Sequence, residues 1–226
     1  MKLKLNHAVI RDEMASILAR TPWAKERKVD EARSGDPLGL VVAFHNPDRP
    51  VIVDWLLSEG LFSSARSALG AVWNHDHHHC IDRWGLKGTI RRLEETRRYE
   101  TAKLPILPAM VDIWRGCVAG SPSPTLSLSW TLDRRVAGAF CFYHLHGRKE
   151  RPPEGLIYHR RVERNSILMQ IDDRDEAEVL VKPTPHFTLE VLDWPTLEAM
   201  KTEWHASSSA RVASLGAINP PLPAAA

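Results

Sequence analysis

Between residues 125 and 132 apolar and hydroxyl side chains alternate: Leu126, Leu128, Trp130 and Leu132 against Ser127, Ser129 and Thr131. A period of two is that of a half-buried strand, so a strand is predicted over 125–132. Earlier in the chain the spacing is helical. Ala68, Leu69, Val72 and Trp73 recur at i, i+3, i+4 behind the capping hydroxyls of Ser63 and Ser64. Trp55, Leu56 and Leu57 lead to Gly60, so two short packed helices are expected here. Thr21-Pro22, a capping hydroxyl followed by proline, predicts a helix over 22–34 that stops at Gly35. A third helix is expected near 86–101, where Arg91, Arg92, Arg97 and Arg98 are set against Glu94, Glu95 and Glu100. The short apolar run from Leu40 to Phe44, bounded by glycine and by Asn46-Pro47, predicts a brief strand.

At Leu104-Pro105 and Leu107-Pro108 the pattern changes, because a residue before proline is pushed out of the helical region. Strands are predicted over 110–117, 155–162, 166–171, 176–181 and 187–192. A helix capped by Asp133 is expected to run through Val136, Ala137, Phe140 and His144 to Gly147. The fold class is therefore α+β: an N-terminal helical region over 1–104, then a mostly antiparallel sheet over 105–204. Residues 205–226, rich in serine, alanine and proline, are expected to be frayed or disordered. No repeat with a period of 20–50 residues is present, which argues against a solenoid or propeller.

Composition sharpens this picture in three respects. Four of the eight tryptophans lie before residue 100, so both halves have bulky side chains to bury. A net charge of +2 gives no support to nucleic-acid binding by the surface as a whole. Cys80, Cys117 and Cys141 form no C-x-x-C pair and read as reduced, buried, inert thiols. With no signal-peptide pattern and no run of 18 apolar residues, a cytoplasmic protein with no membrane partner is expected.

Candidate chemistry is concentrated in the second half. Trp114-Arg115-Gly116 ends one predicted strand, Ser127-Leu128-Ser129-Trp130-Thr131 forms the next, and Glu176-Ala177-Glu178 opens a later one. On a strand Glu176 and Glu178 would point to the same face and present two carboxylates side by side. Like charges so placed push one pKa up, which suits one group to act as a base while the other stays ionised. Neither a G-x-G-x-x-G nor a P-loop pattern is present to offer another nucleotide site.

Taken in order, these three pieces resemble the arginine, serine and glutamate signature of the ADP-ribosyltransferase superfamily. The wording around them looks most like the small ADP-ribosyltransferase-like proteins of phages and prophages. The resemblance covers roughly residues 105–193. It implies a split, mostly antiparallel sheet and, as substrate, NAD, whose nicotinamide–ribose bond breaks through an oxocarbenium-like cation. By the family pattern Glu178 would stabilise that cation and hold the ribose 2′-hydroxyl, and Glu176 would deprotonate or orient the acceptor. Arg115 would grip a phosphate or its neighbouring ribose. Ser129, with Ser127 as the other register, would brace Glu178, with Thr131 on the same face; Gly116 and Phe140 would line the NAD site, with Tyr143 beside Phe140.

The acceptor implied is a macromolecule in a phage–host or toxin/defence setting: a host protein, with arginine as the leaning, or a nucleic acid. Two other readings use the same fold: an NAD glycohydrolase, with water attacking, and an interaction protein whose cleft is dead. The motifs depart from the toxin pattern in two places. Leucine precedes Ser127, and the loop Asp172-Asp173-Arg174-Asp175 has no aromatic residue to dock a target. The run His75-Asp76-His77-His78-His79-Cys80 lacks a second pair of ligands at zinc spacing, so a polar turn and no metal are expected there. The basic runs over 91–98 and 148–164 read as solvated faces.

Overall fold

The structure, a computed structural model, describes residues 3–23, 26–99, 106–121, 124–145, 150–171 and 176–218. The chain divides into two units, Met1–Ile106 and Leu107–Ala226. The first is helical. The second carries one six-stranded antiparallel sheet, so the molecule is α+β.

In the first unit α1 (His7–Ala19) is capped by Asn6, whose side chain accepts from the Val9 N–H at 3.3 Å, and it buries Ile10, Met14 and Ile17. The Thr21 hydroxyl does not start a helix. It turns back and donates to the Ile17 carbonyl at 2.7 Å, closing α1, and α2 begins at Glu26 (Glu26–Ser34). Residues 24 and 25, within the expected helix, lie outside the described residues. The run expected as a strand is instead α3 (Leu38–Ala43). Leu40, Val41, Ala43 and Phe44 are buried while Leu38 and Val42 are exposed, a helical pattern that five apolar residues cannot distinguish from a buried strand by composition.

Helix α4 (Arg49–Ser58) is buried from Pro50 to Leu57, as a helix apolar on nearly all sides must be. Its buried charge, Asp54, accepts from Arg83 Nε at 2.9 Å, Trp84 Nε1 at 2.9 Å and Arg92 Nε at 2.7 Å. Those donors come from α5 (Phe62–Thr96), which cannot be straight. Residues 66 and 93 would lie about 40 Å apart along a straight helix. Yet Arg66 Nη1 reaches the Leu93 carbonyl, and Phe62 stacks on Tyr99 at 5.0 Å. The fold-back is at Gly85, whose φ of +64° lies in the left-handed region that favours glycine, and Thr89 Oγ1 reaches across it to the Cys80 carbonyl. The first of the three expected helices is α4, and the second and third are the arms of α5. The turn expected at 75–80 falls five residues later, because Trp73 and Cys80 keep that stretch on a buried face.

In the second unit β1 (Met110–Val118), β2 (Ser129–Thr131), β3 (Gly155–Glu163), β4 (Ile167–Ile171), β5 (Glu178–Val181) and β6 (Thr188–Leu192) pair in the order β4-β5-β2-β1-β3-β6. Strand β2 is shorter than its alternation implies: Pro124–Leu126 is a 3-10 turn and Leu126 is exposed, so only the last three residues pair. Helix α6 (Arg134–Tyr143) is capped by Asp133, which accepts from the Arg135 N–H at 2.8 Å. It ends at Tyr143, and Gly147, the expected stop, lies outside the described residues. Helix α7 (Trp194–Ile218) continues well past residue 205, where a frayed segment was expected; Trp204 and Met200 anchor it on α6, and the alanines beyond favour the helix. Residues 219–226 lie outside the described residues.

The two faces of the sheet bury different cores. Val118, Ile157 and the half-buried Trp114 pack under Ala137 and Cys141 of α6 and Leu197 and Met200 of α7. Val111, Ile113, Trp130, Val162, Val179 and Val181 form the other core with Leu107 and Ile167. Helix α6 sits directly on β1: a Cβ at Gly116 would meet the Ala137 carbonyl oxygen at 1.6 Å.

Two substitutions test this architecture by chemical denaturation. Gly116→Ala forces main chain against main chain, which no rotamer relieves, and is expected to cost the second unit about 3 kcal/mol. Asp54→Ala leaves Arg83 and the largely buried Arg92 without their shared carboxylate and is expected to destabilise the first unit by about 3–5 kcal/mol.

Candidate active site

Ser129 is the point at which the sequence motifs converge. Antiparallel register sets Thr131 opposite Glu178 and Ser129 opposite Leu180, so Ser129, Thr131 and Glu178 share a face of the sheet. The Ser129 hydroxyl donates to Glu178 Oε1 in a short hydrogen bond. From β1, Arg115 Nη1 donates to the Ser129 carbonyl at 2.7 Å. The pleat places Arg115 on the opposite face from Trp114, which pairs with Thr131. Its side chain therefore reaches β2 from the other side, where β1 and β2 share one residue pair.

Burial is the largest influence on Arg115 and lowers its pKa, while the nearby negative groups, Glu178 among them, favour its charged form. Its remaining N–H groups make no hydrogen bond to any described residue. A guanidinium so held keeps a fixed direction and has donors to spare for a ligand.

The other expected site residues divide. Thr131 is buried and its hydroxyl is committed, donating to the Glu176 carbonyl at 2.7 Å and accepting from the Asp133 N–H at 3.1 Å. It ties the approach to β5 to the start of α6. Glu176 does not lie on the strand: β5 begins at Glu178, and Ala177 between them has φ +45°. The strand alternation from which the carboxylate pair is expected is therefore interrupted at Ala177. Gly116 faces the α6 backbone and serves close packing. Phe140 packs with Val136, Ala139 and Trp204 between α6 and α7. Tyr143 stands beside it, ring centroids 5.5 Å apart. The loop 172–175 lies outside the described residues.

Between Ser127 and Ser129 the geometry is decisive. Ser127 Oγ approaches the Ser129 carbonyl at 3.4 Å, and its own carbonyl accepts from Trp130 Nε1; the bond to Glu178 is made by Ser129. Three groups that the motif search passed over surround Arg115 on its face: Tyr158 directly opposite, the buried thiol of Cys117 and the buried Arg160. Strand alternation around Arg115 was the available signal for them.

In the first unit a hollow of ≈ 660 Å³ is lined by the charged side chains of Glu94, Glu95, Arg97 and Arg98. The cleft between α6 and α7, lined by Phe142, Tyr143, Lys201 and Trp204 among others, holds ≈ 160 Å³, below the several hundred Å³ usual for a ligand pocket. No group of three His, Cys, Asp or Glu side chains that could hold a metal ion occurs among the described residues, His77 to Cys80 included. No helix among them is long and apolar enough to cross a membrane. Comparison with protein families, curated proteins and solved structures finds no match to this chain.

The cysteines bear on how the site can be probed. All three are buried thiols outside any disulfide, and burial pushes the Cys141 thiol up to about 12. At pH 8 Cys141 is then almost entirely protonated and poorly nucleophilic. Iodoacetamide is expected to leave it unlabelled in the native protein and to label it fully in guanidinium, as read by peptide mass spectrometry.

Proposed function

We propose that this chain is a mono-ADP-ribosyltransferase, which breaks the nicotinamide–ribose bond of NAD and transfers ADP-ribose to a macromolecular acceptor. The observation that carries the reading is the meeting at Ser129: the Arg115 guanidinium on its carbonyl and the Glu178 carboxylate on its hydroxyl. The arginine, serine and glutamate that the sequence motif pairs by resemblance are thus in contact, although 14 and 49 residues separate Ser129 from its two partners.

In this reading the C1′–N bond breaks with its electron pair leaving on nicotinamide, and positive charge develops on the ribose. Glu178 faces that charge as a carboxylate whose direction is fixed by the Ser129 hydroxyl, a preorganised arrangement that requires little rearrangement as the cation forms. Arg115, braced on the Ser129 carbonyl, offers its remaining donors to the phosphates. An acceptor lone pair then attacks C1′ and its proton passes to a base. Glu176 lies two residues before Glu178, just outside β5, and the reading gives it that role.

Incubation with NAD labelled in the adenylate half, together with cell extract, tests the proposal. Label is expected on macromolecules, and Glu178→Gln is expected to lower transfer by about 10²–10³-fold, the usual loss of a preorganised electrostatic partner. Free ADP-ribose without labelled macromolecules would make the protein a glycohydrolase, and NAD left intact by the wild type would refute the reading. Within the site, Ser129→Ala is expected to cut kcat by at least about tenfold, whereas Ser127→Ala stays within about twofold. Equal effects of the two would remove Ser129 from its assigned place.

A further inference from the structure

Arg160 is placed where a cation is unfavourable. Its side chain is 5% exposed, on β3 opposite Ile113, with the guanidinium 4.4 Å from the centroid of the Trp130 ring. Nη2 donates to the Lys182 carbonyl at 3.2 Å. Nε and Nη1 are buried without a hydrogen-bond partner, and no carboxylate pairs with the group among the described residues. Burial lowers its pKa to about 10, which still leaves it charged at neutral pH. The buried Arg92 makes the contrast: it is held by Asp54 and by the Gly88 carbonyl. An isolated charge in a core is disfavoured by several kcal/mol unless something neutralises it. Leucine or methionine would fill the volume beside Trp130 without that penalty.

The neighbour of Arg160 on this face is Arg115. Register sets Arg115 opposite Tyr158 and Arg160 opposite Ile113, so the two arginines are diagonal cross-strand neighbours on one side of the sheet. Arg115 and Tyr158, on the same face, are half-buried. Two arginines on one face of the sheet, the inner one without a counter-ion, favour an anion that carries more than one negative charge, and a pyrophosphate is such an anion. The Trp130 ring meanwhile holds the guanidinium in place by its π-face.

We propose that Arg160 and Arg115 together form the pyrophosphate-binding subsite of this protein, with Arg160 as the inner, desolvated contact. The assignment rests on the dinucleotide reading of the Ser129 site for its natural ligand. It does not need that reading for the anion site itself.

Calorimetric titration of the full chain with inorganic pyrophosphate and, separately, with NAD tests it in wild type, Arg160→Met and Arg134→Met. The last removes an equal charge from an exposed ion pair with Glu190. Arg160→Met is expected to weaken both ligands at least about tenfold, and Arg134→Met to leave both within about twofold. The melting temperature of Arg160→Met without ligand is expected to match or exceed that of the wild type, because an unpaired buried charge has been removed. Unchanged affinity in Arg160→Met overturns the proposal while leaving the NAD reading intact. Pyrophosphate binding that depends on Arg160, in a protein that does not bind NAD, upholds the anion site and overturns the NAD reading. Failure of the wild type to bind either ligand overturns both, and a lowered melting temperature in Arg160→Met marks Arg160 as a structural prop and overturns the subsite.

Discussion

Strand β2 is three residues long, and the sheet depends on it. In the strand order it joins the β4-β5 hairpin to the β1-β3-β6 half, with a single residue pair to β1 and three to β5. So little ladder is reinforced by side chains. Arg115 adds a bond to the Ser129 carbonyl, the Ser129 hydroxyl bonds Glu178, and Thr131 secures both the approach to β5 and the start of α6. The same side chains that would handle a substrate therefore close the seam of the sheet. The seam accounts for polar groups standing in a row where an ordinary central strand would carry valines.

Much of the second unit was legible because its strands obey a period of two and its turns carry strong punctuation. Strands β1, β3, β4 and β6 lie within one or two residues of their expected bounds, and Asp133 caps α6 as its side chain predicts. The motif residues Arg115, Ser129 and Glu178 were readable as a set. What could not be read was the break at Ala177, where a residue with no turn signature adopts φ +45° and takes Glu176 off the strand. Gly116 and Thr131 are expected at a ligand because motif and packing roles look alike in a sequence; the α6 backbone, which leaves no room for a Cβ at Gly116, and the committed hydroxyl of Thr131 distinguish them. Arg160 was missed for a related reason. An arginine in the run 148–164 reads as one more solvated charge until strand alternation turns it inward.

The first unit was harder to read because its signals are short. Leu40 to Phe44 fits a strand or a buried helix equally well, and tertiary burial decided for the helix. Gly85 carried no emphasis in the sequence, since the neighbouring histidine run looks far more like a turn. A histidine run is only polar, however, whereas glycine alone tolerates the left-handed backbone that a tight reversal needs.

Asp54 has a consequence for the order in which the first unit assembles. Its donors lie 29 to 38 residues downstream, on both arms of the folded-back helix. During synthesis the carboxylate leaves the ribosome before any of them and remains hydrated, which keeps the otherwise apolar α4 from settling into a closed core. Only when the second arm emerges and reverses at Gly85 do all three donors arrive. Core closure and hairpin closure thereby become one late, cooperative event.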